Sequence, residues 1–202
     1  MYKKTVDIIN SLDIKSISNE RKALLKPLID YIQEKILNKD KVLLNFICTH
    51  NSRRSHLSQI WAQTLAHHFQ IKNVFCYSGG TEATALYPMI VTTLEETGFQ
   101  IEKLSNEKNP VYNIRFSENE SLIIGFSKVY DNILNPKTNF AAIMTCSQAD
   151  EGCPYIPGAE KRIPITYEDP KHSDNSPNQK AVYKERSLQI ATEMYFVFSQ
   201  IK

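Results

Sequence analysis

The sequence predicts an α/β protein, a three-layer α/β/α sandwich carrying a short N-terminal helical extension. Three observations predict it. The runs "KVLLNFI", "NVFCYS" and "FAAIMTC" are nearly continuous in apolar residues, the pattern of strands buried on both faces of a parallel sheet. Segments with helical spacing follow the first two of these runs. Strands that alternate with helices in this way build right-handed βαβ units.

Taken in order, residues 1–40 read as helical. Leu24, Leu28, Tyr31, Ile32 and Ile36 recur at three- and four-residue spacing, and Ser18, Asn19 and Glu20 give a start signal. Pro27 predicts a break or a kink. The main domain is expected over 41–202 and opens with the strand "KVLLNFI". From Arg53 to Phe69, residues Leu57, Ile60, Trp61, Leu65 and Phe69 lie on one helical face. "NVFCYS" is a second strand, and a helix from Pro88 to Thr97 is stopped by Gly98. "PVYNIRF" and "SLIIGFSKVY" flank the turn-like "SENE" and predict a hairpin insert near 110–130. "FAAIMTC" and "KRIPITY" are the last strands, "KHSDNSPNQK" is a loop, and residues 179–201 form a terminal helix.

The composition narrows the function. A chain of 202 residues suits one domain with an appendage. A formal charge of +2 gives no reason to expect a nucleic-acid or membrane partner. No apolar run reaches the length of a membrane span, and no signal peptide is visible, so a cytoplasmic protein is expected. Cys48, Cys76, Cys146 and Cys153 include no C-x-x-C pair, which argues against a zinc site; no metal and no cofactor are expected.

The stretch "CTHNSRRS" carries the chemistry. It joins a buried strand to a helix N-terminus, at the sheet edge where α/β proteins bind ligands. Thr49, His50, Asn51, Ser52, Arg53 and Arg54 are spaced to curl around one tetrahedral oxyanion, with backbone N–H groups and the helix dipole facing it. Arg54 can fork two donors to two oxygens, Asn51 tolerates a left-handed kink, and Ser55 can donate to the Cys48 sulfur. The helix start and the guanidinium favour an ionised, nucleophilic Cys48. A packed core thiol followed by an ordinary loop is the bland alternative.

At these residues the sequence resembles the phosphate-binding loop of the low-molecular-weight protein tyrosine phosphatases and the related thioredoxin-coupled arsenate reductases. The resemblance implies a central four-stranded parallel sheet, a Cys48 nucleophile, and an arsenate or phosphate-type oxyanion held by Arg54 and the loop amides. His50 stands where a glycine is usual, and Arg53 replaces a commoner cysteine or apolar residue. "YSGGTE" resembles the family's S-A-G turn, with Ser78 and the two glycines supporting the loop. Cys76, within a strand, reads as a core residue.

Two further thiols bear on the choice between hydrolysis and reduction. Reducing arsenate needs two electrons, which two thiols supply by becoming a disulfide. "MTCSQADEGCP" places Cys146 and Cys153 seven positions apart directly after a strand, and resembles the C-x6-C-P of the thioredoxin-coupled reductases. The resemblance implies a relay from Cys48 to Cys146 to Cys153, with thioredoxin as the electron donor. One packed and one surface cysteine is the plain alternative. "YEDPKHS" matches the family's D-P loop and implies Asp169, ahead of Glu168, as proton donor. Arsenate reduction is the leading expectation; a phosphatase using Cys48, Arg54 and Asp169 alone is the second, and a non-enzymatic oxyanion-binding module the third.

Overall fold

A computed structural model describes residues 1–152 and 155–202. The chain opens with α1 (Lys3–Asn10) and α2 (Asn19–Leu37), followed by β1 (Val42–Cys48) and α3 (Arg54–His68). Next come β2 (Val74–Gly80), α4 (Pro88–Glu96) and three short strands, β3 (Gln100–Lys103), β4 (Tyr112–Arg115) and β5 (Ile123–Gly125). β6 (Phe140–Met144), α5 (Ser147–Gly152), β7 (Ala159–Pro164) and α6 (Gln179–Ser199) complete it.

The central sheet has four strands in the order β2-β1-β6-β7, all parallel. The chain leaves β1 through α3 to reach β2 on one side, and β6 later enters on the other. β1 is therefore the point where the strand order reverses, and a crevice opens beyond its carboxyl end. Strand pleating sends Val42, Leu44 and Phe46 into the larger core, while Ile47 joins a smaller one on the opposite face. The sandwich is lopsided. α2 and α3 pack on one face with α6 stacked over them, and among the described residues the other face carries one short helix, the six-residue α5, with Tyr130 beside it.

Where the structure departs from the sequence expectation, local reasons are visible. Pro27 does not break α2: it lies on the exposed face, where the carbonyl it leaves unbonded, that of Ala23, is also exposed and can meet water. α3 is buried almost all round, including Ser58, Gln59 and Thr64, because sheet and α6 enclose it. Trp61, fully buried, accordingly donates its indole N–H to Ser187 Oγ of α6 at 2.9 Å. The expected hairpin is present as β4 and β5, but β3 extends it to a three-stranded antiparallel sheet. Gly98, at φ +100°, ends α4 as expected. α5 has no counterpart in the sequence reading.

Residues 1–40 share the main core. Ile9, Ile17, Leu25, Leu28, Tyr31 and Ile32 are buried in the same cluster as β1, α3 and α6. Ser18 caps α2 by accepting from the Arg21 N–H at 3.1 Å. The Arg21 side chain makes a two-pronged pair with the buried Glu193 of α6, at 2.9 and 2.8 Å. Among the described residues, no helix is long and apolar enough to cross a membrane.

Leu28 is fully buried, so Leu28→Ala is expected to cost about 2–5 kcal/mol of global stability. Urea denaturation should show one cooperative transition moved to lower concentration. Two separate transitions would show that residues 1–40 fold as a unit of their own.

Candidate active site

The loop between β1 and α3 has its carbonyls turned outward. Cys48 O accepts from the Thr81 N–H at 3.1 Å, and Thr49 O from the Glu82 N–H at 2.8 Å. His50 O accepts from Ser127 Oγ at 2.8 Å, and Ser52 O from the Tyr87 N–H at 3.1 Å. By contrast, the amide N–H groups of residues 49–54 donate to no acceptor among the described residues. Engaged carbonyls and amides without acceptors among the described residues are the arrangement of a candidate anion nest, to which α3 would add its dipole. The turn requires a residue at positive φ, and Asn51 supplies it at +44°.

The Asn51 side chain ties the loop together. Its Oδ1 accepts from the Lys128 N–H and its Nδ2 donates to Ser55 Oγ, both at 2.9 Å. Ser55 Oγ, which accepts from Asn51, also lies 3.1 Å from Cys48 Sγ, and its proton can turn to the sulfur when Cys48 is ionised. Asn51, Ser55 and Cys48 are all buried.

Gly80 explains the long β2. A Cβ there would fall 2.6 Å from Thr49 O and 2.7 Å from Asn51 N, so the strand passes too close to the loop for any side chain. The glycines expected as a turn are the end of a strand pressed against the loop.

Arg54 is buried and reaches across to the segment after β7. Its guanidinium donates to Tyr167 O at 2.9 Å and to Asp169 Oδ2 at 2.5 Å. Asp169 Oδ1 accepts from the Lys171 N–H at 3.0 Å, and Pro170 begins a 3₁₀ turn that fixes its position. Glu168 faces elsewhere, largely exposed and paired with Arg186 at 3.1 Å. The Tyr167 ring packs against the Arg21 guanidinium, 4.9 Å from its centroid. Residues 1–40 thereby buttress the carbonyl that holds Arg54.

The two unusual loop residues have distinct fates. Arg53 turns its side chain away from the nest and donates to Tyr183 Oη and Asp174 Oδ2, both at 2.6 Å. Its guanidinium also lies 4.1 Å from the Tyr87 ring centroid. It fastens the 168–178 segment to the loop rather than binding anions with its side chain. His50 points outward to Glu82 at 3.6 Å. Behind the loop, burial holds the His56 imidazole neutral, pushed down to about 3, with the Lys128 charge acting in the same direction. Cys76 is buried and burial pushes its thiol up, as befits a core residue.

Cys146 is buried beyond the end of β6. Its sulfur lies 3.5 Å from Thr49 Oγ1 and accepts from the Ala149 N–H of α5 at 3.4 Å. Cys48 and Cys146 belong to the same small apolar cluster. The Cys153 expected as the third thiol lies outside the described residues. Among the described residues, no group of three or more His, Cys, Asp or Glu side chains is arranged to hold a metal. Sequence reasoning missed Thr81, Ser127, Lys128 and Tyr167, whose roles depend on contacts from distant segments and leave no local signal.

No protein-family model matches the chain. It is 30% identical over 132 residues to arsenate reductase 2 of Staphylococcus haemolyticus, covering 65% of this chain and 80% of that protein. The arsenate reductase of Bacillus subtilis strain 168 is 26% identical over 145 residues, covering 71% and 85%. The fold matches that of an arsenate reductase in its phosphate-binding state, with a TM-score of 0.52 and 19% identity over 80% of this chain and 99% of that one. It also matches a low-molecular-weight phosphotyrosine phosphatase of Vibrio cholerae, with a TM-score of 0.51 and 10% identity over 78% and 94%.

Gly80→Ala is expected to cost about 1–3 kcal/mol and to weaken inorganic phosphate binding about tenfold or more, read by calorimetric titration. Gly152→Ala, where an added Cβ meets nothing within 4 Å, serves as the neutral control. In a double-mutant cycle, Arg53→Gln and Asp174→Asn should couple by about 1–2 kcal/mol; additive losses would show that the pair contributes nothing to stability.

Proposed function

The chain belongs to the superfamily of arsenate reductases and low-molecular-weight protein tyrosine phosphatases, and on that footing we propose that it reduces arsenate to arsenite through Cys48, Cys146 and Cys153. It is an enzyme whose curated relatives are named arsenate reductases. The observation that carries the reading is the Cys146 sulfur packed against Thr49, the residue after the proposed nucleophile.

Arsenate enters the nest, its oxygens taking the loop amides and the two Arg54 donors. It displaces Asp169 from Arg54, and the released carboxylate, no longer ion-paired, takes up a proton from water and becomes the acid. The Cys48 thiolate attacks arsenic; an As–O bond breaks, and the departing oxygen takes a proton from Asp169 and leaves as water. The product is a covalent thiol–arsenate adduct. Cys146, as thiolate, then attacks Cys48 Sγ. The S–As bond breaks with its electron pair remaining on arsenic, which leaves as arsenite. Two thiols have given two electrons and become a Cys48–Cys146 disulfide.

Cys153 displaces Cys48 from Cys146, and a thioredoxin-type dithiol, at about −270 mV, reduces the resulting Cys146–Cys153 disulfide. Ser55 stabilises the Cys48 sulfur when it departs as thiolate. A second reading, phosphate ester hydrolysis through a Cys48 phosphocysteine, is favoured by the placement of Asp169 at Arg54 and needs neither Cys146 nor Cys153.

The test measures arsenate-dependent NADPH oxidation with thioredoxin and thioredoxin reductase, beside hydrolysis of an aryl phosphate. Cys146→Ser and Cys153→Ser should each lower arsenate turnover by about 1,000-fold or more and leave aryl phosphate hydrolysis within about threefold. Cys48→Ser should abolish both. Asp169→Asn should lower aryl phosphate hydrolysis by about 100- to 10,000-fold. Arsenate turnover that survives both resolving-cysteine substitutions would sink the relay.

A further inference from the structure

β2 and β5 are edge strands of the two sheets, and a cavity of about 850 Å³ lies between them. That volume falls within the range of about 300–1,000 Å³ typical of small-molecule sites. None of residues 48–54 lines it, so it is separate from the anion nest. Its walls are largely apolar, including Ile71, Phe75, Phe116, Leu122 and Ile124.

The cavity also contains a cation that forms no ion pair among the described residues, while Glu120 on its wall is engaged by His67 at 3.4 Å. Lys128 lines it, only 5% exposed, with its ammonium 4.9 Å from the Phe126 ring centroid. Among the described residues no carboxylate or other acceptor takes a hydrogen bond from this ammonium. Desolvation pushes Lys128 down to about 8, the direction expected of a buried cation without a counter-ion. Gln59 and Asn135, which line the same cavity, each carry a buried amide oxygen that accepts no hydrogen bond. These two oxygens are acceptors and call for a donor, a bound water or a ligand hydroxyl, so the attraction for an anion comes from Lys128 alone.

A peptide strand is a poor occupant, because the free edge of β2 is already hydrogen-bonded. Gln63 Nε2 donates to Val74 O at 3.1 Å, and its Oε1 accepts from the Cys76 N–H at 2.9 Å. Gln59 Nε2 donates to Cys76 O at 3.0 Å and Asn135 Nδ2 to Ser78 O at 2.9 Å. Amide side chains thus occupy the donors and acceptors that an added strand would use.

We propose that this cavity is a second ligand site, which takes an amphipathic organic anion whose carboxylate pairs with Lys128 and whose apolar body lies between β2 and β5. A buried ammonium ion selects a negative group, and the walls select a hydrocarbon body.

Calorimetric titration of the full chain with decanoate, below its micellar concentration, tests this. One saturable site per chain is expected, with affinity unchanged by saturating inorganic phosphate. Lys128→Met should weaken binding about tenfold or more, and decanol should bind the unaltered chain more weakly by a similar factor. Lys128→Met removes a desolvated charge, so its thermal midpoint should not fall. Leu122→Trp, which fills the cavity and keeps Lys128, should also abolish binding and covers the case in which the lysine variant fails to fold. Absence of saturable binding, equal affinity in Lys128→Met, or displacement by phosphate would overturn the proposal.

Discussion

The outward rotation of the carbonyls of Cys48, Thr49, His50 and Ser52 is the constraint on which the rest of the site depends. A backbone loop binds an anion only when its N–H groups converge, and convergence forces the carbonyls to find partners elsewhere. Thr81, Glu82, Tyr87 and Ser127 are those partners. They come from the segment after β2 and from the stretch after the small sheet. The nest is therefore a joint product of three separate parts of the chain. Losing one of these contacts would leave a carbonyl without its partner and relax the amide on its other side.

A second ring of support comes from residues that never meet the anion. Arg53 fastens the 168–178 segment through Asp174, Tyr183 and Tyr87. Arg21 packs on Tyr167, whose carbonyl holds Arg54, and pairs with Glu193 of α6. Removing one member of such a semi-buried pair costs more than the pair contributes, because the abandoned charge stays desolvated. The N-terminal helices are in this way part of the framework of the site.

The lopsided sandwich separates two mechanical regimes. On the heavily covered face, β1, α3 and α6 share one core with fully buried Trp61, Phe198 and Ile190. On the other face, Cys48 and Cys146 share a smaller cluster, eight buried residues among those described, which includes Ala149 of the six-residue α5. Few apolar contacts mean a low free-energy cost for local opening. The relay proposed above would need such a region around Cys146, with Cys48 anchored at the end of β1.

The sequence alone determined the class of fold, the strand that ends in Cys48, the C-x5-R-S spacing and the positive φ at Asn51. Each depends on residues near one another in the chain, where periodicity, turn chemistry and spacing act directly. The hairpin after α4 was legible for the same reason; its third strand was not, because β3 is short and mostly exposed and lacks the apolar pattern of a strand. Only the tertiary structure decided that Arg53 is a fastener, that the glycine pair ends a strand pressed on the loop, and that Pro27 is tolerated within a helix. It alone set Lys128 behind Asn51 and Cys146 against Thr49. Those outcomes depend on which distant backbone groups need partners and which surfaces face water, and neither is written in any local stretch of sequence.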